Sequence, residues 1–274
     1  MSLNSSLEVW PYVEPPTILP YDFEKFDAIK WRTWMAQSWP ISLVISASYV
    51  TLILVGQRFM HSRQPFKLQG PLLIWNLGLA IFSLCGFVRT FPELFQVISG
   101  QDGMHRSICV RDTLNPSSIF WAFLFTWSKV VELGDTLFLV LRKKPVIFLH
   151  WYHHVTVLIF CWATYAHYEP ILRWFGVVNM LVHFYMYSYF ALRAMHVRLW
   201  KSVSITVTTF QLTQMVLGIV VNFYAFWMKR KGVPCARSDQ GQNIHLAMYS
   251  SYLVLFAHYF YKSYLAKKPK VKRT

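Results

Sequence analysis

The amino-acid sequence predicts an all-α membrane protein of seven transmembrane helices. Of its 274 residues, 55% are apolar and only 14% are charged, whereas roughly a quarter of the residues of a soluble domain are charged. A helix that crosses a bilayer needs about 20 mostly apolar residues. Six uncharged stretches reach this length alone, and the third span requires the continuation Lys129–Leu141. The expected spans are residues 33–57, 68–88, 113–141, 145–168, 174–192, 202–228 and 240–261.

The composition excludes several other classes of protein. The chain has 11 Gly, 13 Pro and 4 Cys, which argues against a collagen-like repeat, a disordered chain and a small disulfide-stabilised domain. Only helices and closed barrels satisfy the backbone inside lipid, and the uncharged stretches lack the two-residue alternation of barrel strands. Because the spans occupy most of the chain, we expect no separate soluble domain. The expected organisation is a luminal segment of residues 1–33, a transmembrane domain of residues 34–265 and a basic cytosolic tail of residues 266–274.

The distribution of charge between the loops predicts the orientation of the helices. The loops after the first, third and fifth spans and the C-terminal tail carry fifteen Lys and Arg and no acidic residue. The segments on the opposite side carry eleven basic and ten acidic residues. Since positively charged loops stay in the cytoplasm, we expect a cytosolic C-terminus and a luminal N-terminus. The first thirty residues lack the pattern of a cleaved signal peptide, and Asn4-Ser5-Ser6 is a candidate glycosylation site.

Three histidines in the fourth span are the strongest chemical signal in the chain. His150, His153 and His154 follow the pattern H-x-x-H-H, and positions i, i+3 and i+4 share one face of a helix. A lone histidine could be explained by a hydrogen bond to a neighbouring helix. Polar groups at membrane depth are costly and usually functional. Three imidazoles on one face therefore favour a reaction site.

Polar side chains on three further spans are candidates to surround the histidines. They occur in the patterns K-x-x-E-x-x-D-T, N-x-x-x-H-x-x-M-Y-x-Y and T-x-x-Q-x-x-Q, in that order. These side chains could also have a purely structural role. The charges of the third span could neutralise one another, and the amides could form hydrogen bonds between helices. The candidates are Lys129, Glu132 and Asp135 in the third span, Asn179, His183 and Tyr187 in the fifth, and Thr208, Gln211 and Gln214 in the sixth. Four helices with polar faces imply a bundle around a hydrated or substrate-filled chamber.

These four ordered motifs resemble those of the very-long-chain fatty acid elongases of the endoplasmic reticulum. The resemblance extends over essentially the whole chain of seven spans. The form LHWYHH at residues 149–154 resembles the branch that acts on saturated and monounsaturated acyl chains. Phe190 is a small departure, since many relatives continue with a second tyrosine there.

The resemblance implies the condensing step of chain elongation. An acyl-CoA and malonyl-CoA would give a 3-ketoacyl-CoA two carbons longer, carbon dioxide and CoA, without a metal or another cofactor. The seven helices would enclose a tunnel for the acyl chain, and the cytosolic cations would attract the phosphates of CoA. The implied partners are the lipid bilayer, the reductases and dehydratase of the elongation cycle and further copies of the chain. Nucleic acid is not an expected partner.

The resemblance points to His153 as the residue that carries the acyl group, with His183 facing it. A neutral imidazole can attack a thioester and form a reactive acyl-imidazole. Cys161 lies about 10 Å beyond His154 along the helix, too far to be activated by the histidines. His150 and His154 would orient the carrier, polarise malonyl-CoA or move protons. The substrate-binding candidates, which would set tautomers or stabilise enolate and oxyanion charge, are Lys129, Glu132, Asp135, Asn179, Tyr187, Gln211 and Gln214.

Two other classes of protein remain open at this stage. H-x-x-H-H also occurs as a di-iron box in membrane desaturases and hydroxylases, which resemble one another in having several boxes and about eight ligating histidines. This chain has ten histidines but a single box of this kind. A receptor or transporter of seven helices would bind or move its ligand without covalent chemistry.

The four cysteines fall into two pairs. Cys85 and Cys161 lie within expected spans, whereas Cys109 and Cys235 lie in loops on the expected luminal side. Because that compartment is oxidising, we predict a Cys109–Cys235 disulfide. Two unpaired loop thiols are the alternative, because sequence does not give the distance between the two Cα atoms.

The C-terminal tail supplies a prediction of location. Lys270 and Lys272 stand fifth and third from the end, which resembles the cytosolic dilysine signal of endoplasmic-reticulum membrane proteins. The alternative is a generic basic tail that binds anionic lipid. Both interpretations place the tail in the cytosol.

Overall fold

The computed structural model describes residues 17–111 and 115–266, and in these ranges it contains helices and no strand. A short 3₁₀ turn at Asp22–Glu24 precedes the helices, and a π-helical turn at Tyr261–Leu265 follows them. Asn4 and the lysines of the C-terminal tail, Lys270 and Lys272, lie outside the described residues. The helices are α1 Ala28–Ser38, α2 Ile41–Met60, α3 Gln69–Ser99, α4 Gly103–Cys109, α5 Pro116–Val131, α6 Gly134–Leu141, α7 Phe148–Tyr165, α8 Leu172–Ala194, α9 Lys201–Arg230 and α10 Asp239–Phe260.

Four of the described helices, α2, α3, α8 and α9, are long and apolar enough to cross a membrane. They have 20, 31, 23 and 30 residues, and about 20 residues suffice to span the hydrocarbon core. The protein is therefore an all-helical, multi-pass membrane protein. Helices α7 and α10 coincide with two further expected spans and have 18 and 22 residues.

The third expected span is interrupted rather than continuous. Helix α5 ends at Val131 and α6 begins at Gly134. Between them the hydrogen bonds shorten to the 3₁₀ pattern, from the Asp135 amide to the Glu132 carbonyl and from the Thr136 amide to the Leu133 carbonyl. Glu132 and Asp135 thus leave the backbone at a tight turn, which presents both carboxylates to neighbouring helices.

Close contacts between helices determine where the polar side chains meet. Helix α3 packs along much of α8, and α9 packs along α10. At Gly86 a Cβ atom would collide with Met180 of α8, and at Gly134 it would collide with the indole of Trp75. Small residues allow such close approach in membranes. The contact at Gly134 brings Trp75 beside the turn that carries Asp135.

The structure contains the predicted disulfide between Cys109 and Cys235. It links the end of α4 to the loop between α9 and α10, across a sequence separation of 126 residues. The amide of Ala236 also donates to the Cys109 carbonyl at 2.8 Å. Cys85 and Cys161 are free thiols, as their positions in expected spans predict.

Candidate active site

The three histidines of the box lie in the first two turns of α7. The ring centroids of His150 and His154 are 4.5 Å apart, and those of His153 and His154 are 5.7 Å apart. His154 is buried, while His150 and His153 are half-buried. The helical spacing of the motif therefore produces one contiguous imidazole surface.

His150 is held by two residues that precede it in the chain. Its Nε2 atom is 2.8 Å from the Thr136 hydroxyl, which is in turn 2.6 Å from the Tyr49 hydroxyl. Thr136 belongs to the K-x-x-E-x-x-D-T motif, whereas Tyr49 of α2 was not identified from the sequence. Both hydroxyl groups are buried. This chain of hydrogen bonds fixes the orientation of the His150 ring.

A second buried network joins α5 to α8. The Lys129 ammonium donates to Glu132 at 2.7 Å and to the Asn179 side-chain oxygen at 3.3 Å. The same Glu132 oxygen accepts from the Ser128 hydroxyl and lies 3.8 Å from Nδ1 of His183. The sequence prediction that Lys129 and Glu132 pair on one face is confirmed.

Asp135 points to a different set of partners. Its carboxylate accepts from the indole of Trp75 at 2.6 Å and from the Tyr187 hydroxyl at 2.8 Å. The Tyr187 ring also packs on His183, with centroids 5.5 Å apart. Trp75 was not identified from the sequence, because an aromatic residue in an apolar span is indistinguishable from one that faces lipid. Asp135 is thereby linked to α3 and α8.

His153 faces aromatic residues of α10. Its ring lies 5.0 Å from the Tyr252 ring and 6.3 Å from the Phe256 ring, measured between centroids. The Tyr252 hydroxyl is 2.6 Å from the Thr156 hydroxyl, one turn beyond His153. His153 thus packs on aromatic rings of α10, whereas His150 contacts the Thr136 hydroxyl.

Two buried polar atoms in the site have no hydrogen-bond partner among the described residues. They are Nδ1 of His154 and Oε2 of Glu132. Buried polar atoms are rarely left unsatisfied. These two atoms are consequently candidates to contact substrate.

The two glutamines of α9 are less closely connected to this centre. The Gln211 amide donates to the Met186 sulfur at 3.3 Å, and Gln214 is buried. Thr208, which opens their motif, contacts the Tyr264 hydroxyl at 3.1 Å. The structure thus joins five of the substrate-binding candidates in two networks and places Gln211 against a methionine. The five are Lys129, Glu132, Asp135, Asn179 and Tyr187.

An apolar cavity lies between α3, α5, α7 and α8. Its volume is about 120 Å³. Phe125, Cys161 and Met180 line it, and the Lys129 ammonium lies 4.1 Å from the centroid of the Phe125 ring. This contact of Lys129 with Phe125 relates the wall of the cavity to the buried network of α5 and α8.

Across 17–111 and 115–266, no group of three or more His, Cys, Asp or Glu is arranged to hold a metal ion. His245 is fully buried in α10 at the far end of the bundle, where its Nδ1 contacts Arg237. It packs on Phe160 and Phe175 rather than on the histidine box.

Fold and site together define a class of protein, a multi-pass helical membrane protein with a histidine-rich site and an apolar cavity. Residues 34–272 match the family model described as ELO: GNS1/SUR4 family. The chain belongs to this family.

Curated relatives are similar to the chain over most of its length. A protein of Drosophila melanogaster named very long chain fatty acid elongase 6 is 46% identical over 252 residues, which cover 90% of this chain and 79% of the relative. A putative fatty acid elongase 3 of Caenorhabditis elegans is 41% identical and covers 91% and 78%. Very long chain fatty acid elongase 6 of Mus musculus is 40% identical and covers 94% and 97%.

Proposed function

We propose that this protein extends long-chain saturated or monounsaturated acyl-CoA by two carbons. As a member of the family, it is a condensing enzyme of fatty acid elongation, a 3-oxoacyl-CoA synthase, with acyl-CoA and malonyl-CoA as substrates. The products are a 3-ketoacyl-CoA, carbon dioxide and CoA. The preference for saturated and monounsaturated chains is supported by the LHWYHH form of the histidine box.

The single observation that supports the mechanism is the contiguous imidazole surface that His150, His153 and His154 form on α7. In the first half-reaction, the neutral imidazole of His153 attacks the thioester carbonyl. A carbon–nitrogen bond forms, the carbon–sulfur bond breaks, and the thiolate of CoA leaves. The rings of Tyr252 and Phe256 cover one side of His153 and would limit the access of water to the acyl-imidazole.

In the second half-reaction, malonyl-CoA loses carbon dioxide and leaves an enolate. The enolate carbon attacks the acyl carbonyl, the carbon–nitrogen bond breaks, and the imidazole is regenerated. Lys129 and the amide groups of Asn179, Gln211 and Gln214 stabilise the negative charge that develops. His150 and His154 orient malonyl-CoA or move protons. His183 and the carboxylates of Glu132 and Asp135 hold these groups in place.

Several structural features complete the proposal. Seven spans, made of the four membrane helices above together with α5–α6, α7 and α10, would enclose the cavity as a tunnel for the acyl chain. Loop charge supports a luminal N-terminus and a cytosolic C-terminus in the endoplasmic reticulum, where the reductases and dehydratase of the cycle would act on the product. The proposed reaction uses no metal, and the Thr136 hydroxyl orients the imidazole of His150.

Substitution of the two candidate nucleophiles tests the mechanism. We expect His153→Ala to abolish both condensation and covalent acyl capture, because it removes the attacking nitrogen. Cys161→Ala is the matched control on the same helix and should retain substantial activity. Mass measurement of purified protein after incubation with acyl-CoA, followed by peptide mapping, locates the adduct.

Two results would contradict this mechanism. One is an acyl adduct on the Cys161 thiol, or a folded Cys161→Ala variant without activity. The other is stoichiometric iron or zinc in active protein, lost together with activity on chelation.

A further inference from the structure

His153 is held in place differently from His150. Nε2 of His150 shares a hydrogen bond with the Thr136 hydroxyl, whereas the described contacts of the His153 ring are with other rings, including those of Tyr252 and Phe256. An imidazole that attacks a thioester must keep the lone pair of one ring nitrogen unshared. Packing can fix the orientation of such a ring without occupying that lone pair.

Tyr252 is the closer of the two α10 rings, and the core of the protein fixes its position. Its ring centroid lies 5.0 Å from that of His153, and the residue is 2% exposed. It belongs to a buried apolar cluster that includes Phe175 of α8 and Val221 of α9. Since side chains in a close-packed core have little freedom to move, Tyr252 presents a fixed surface to the imidazole.

The hydroxyl of Tyr252 adds a hydrogen bond of defined direction. The Thr156 hydroxyl donates to the backbone carbonyls of Tyr152 and His153, at 2.7 and 3.3 Å. Because a hydroxyl has only one proton to donate, Tyr252 is the donor in its 2.6 Å contact with Thr156. Thr156 lies three residues beyond His153 and on the same face of α7. The bond therefore fastens Tyr252 to the helical turn that carries His153.

A second hydrogen bond runs in the opposite direction between the same two helices. The Ser251 hydroxyl donates to the Met248 carbonyl at 2.7 Å, so Tyr152 is the donor in its 3.0 Å contact with Ser251. Tyr152 directly precedes His153 in the chain. Helices α7 and α10 are thus joined before and after His153, by one phenol from each helix.

We propose that Tyr252 is a positioning residue for condensation, which holds the His153 imidazole at the angle needed to attack the thioester. Thr156 acts with it, because its hydroxyl accepts the hydrogen bond that fixes Tyr252. Neither residue belongs to the four sequence motifs. The inference rests on the proposed function, in which His153 carries the acyl group. Orientation matters here because a misplacement of about 1 Å can lower the rate of a reaction about hundredfold.

Conservative substitutions test the hydrogen bond and the ring separately. Tyr252→Phe and Thr156→Val each remove the bond and keep the shape of the side chain. We expect kcat for a saturated acyl-CoA to fall about fivefold in each variant, and KM to stay constant because neither side chain contacts the substrate. Acylation of His153 without malonyl-CoA, followed by mass measurement in a single turnover, should slow by the same factor. Tyr252→Leu, which also removes the ring, should slow both steps about hundredfold.

A double variant and a matched control complete the experiment. The loss in Thr156→Val/Tyr252→Phe should be no greater than that in the worse single variant, since both changes remove the same hydrogen bond. Tyr249→Phe is the control, three residues earlier on α10. Tyr249 is buried and packs on Phe175, with ring centroids 4.8 Å apart. This variant should keep the wild-type kcat and acylation rate.

Three results would overturn the inference. They are unchanged kcat and acylation rates in folded Tyr252→Phe and Tyr252→Leu, a lower unfolding temperature with normal acylation per folded molecule, and a higher KM at constant kcat. Each of them leaves the proposed function intact when the wild type elongates acyl-CoA and forms its adduct on His153. Failure of the wild type to elongate acyl-CoA or to form that adduct would instead overturn the proposed function.

Discussion

Glu132 and Glu24 are both buried carboxylates with a basic partner, but their surroundings differ. Glu24 accepts from Arg89, Trp121, Ser117 and the Tyr21 amide, so both of its oxygens are satisfied. Glu132 uses one oxygen for Lys129 and Ser128, and its other oxygen has no partner among the described residues. A carboxylate with hydrogen-bond partners on both oxygens stabilises the structure. A carboxylate with one oxygen available, close to histidines, can act on a substrate.

The largest effect that separates these roles is expected from Lys129→Met. The substitution leaves Glu132 buried without its cation, which typically costs about 3–5 kcal/mol. Thermal unfolding in detergent should show this loss, and condensation should stop. Lys129→Met/Glu132→Leu should recover most of the stability and remain inactive. Recovery of activity in the double variant would show that the pair is structural only.

The difference between the two carboxylates also explains what the sequence could predict. Glu132 stands out because it lies in an apolar span, three residues from a lysine, so its pairing could be predicted from helical spacing. Glu24 looks like an ordinary loop residue, since Arg89 and Trp121 are 65 and 97 residues away. Long-range pairs of this kind require the packing of the helices.

The same reasoning applies to the fold and to the rest of the site. Hydropathy predicted the helical class. The positions of Cys109 and Cys235 in loops on the same expected side of the membrane predicted their disulfide. The interruption between α5 and α6 was not predicted, because the contact of Trp75 with Gly134 depends on tertiary packing. Tyr49 and Trp75 were missed for a related reason, since aromatic residues in a span have no pattern that separates a hydrogen-bond donor from a lipid-facing ring.

A smaller loss of stability is expected when Glu24 is protonated at acidic pH. Burial alone would raise the pKa of this carboxyl, but hydrogen bonds from Arg89, Trp121, the Tyr21 amide and Ser117 outweigh it and lower the pKa from 4.5 to about 2. Because the folded pKa is the lower one, the stabilisation is complete above the unfolded value and is lost as the pH falls from about 4.5 towards 2. The shift corresponds to about 3 kcal/mol, and screening at the end of the bundle reduces the expected contribution to about 1–2 kcal/mol.

Glu24→Gln tests this contribution directly. Unfolding curves between neutral and acidic pH should be less pH-dependent in the variant than in the wild type. The rate of condensation per folded molecule at neutral pH should stay unchanged, in contrast to the variants of Lys129. Loss of turnover in folded Glu24→Gln would remove the distinction between anchor and reaction site.

The smallest effect is expected from Tyr49→Phe, which tests how far the reaction site extends. The change removes one hydroxyl from the chain Tyr49–Thr136–His150 and keeps the ring that packs on His154, 6.3 Å away between centroids. A single hydrogen bond contributes about 1 kcal/mol, so we expect kcat to fall about fivefold. KM should not change, because Tyr49 positions His150 and does not bind substrate.

Tyr185 of α8 provides the matched control, since it is exposed and Tyr185→Phe also removes a single hydroxyl from a membrane helix. A merely structural role of Tyr49 would lower the unfolding temperature and leave kcat per folded molecule intact. An increase in KM at constant kcat would place Tyr49 in contact with substrate. A lower kcat with normal stability and normal KM would mean that the reaction site includes the Tyr49 hydroxyl of α2, which two hydrogen bonds connect to His150. The boundary between anchor and reaction site would then follow hydrogen bonds rather than sequence motifs.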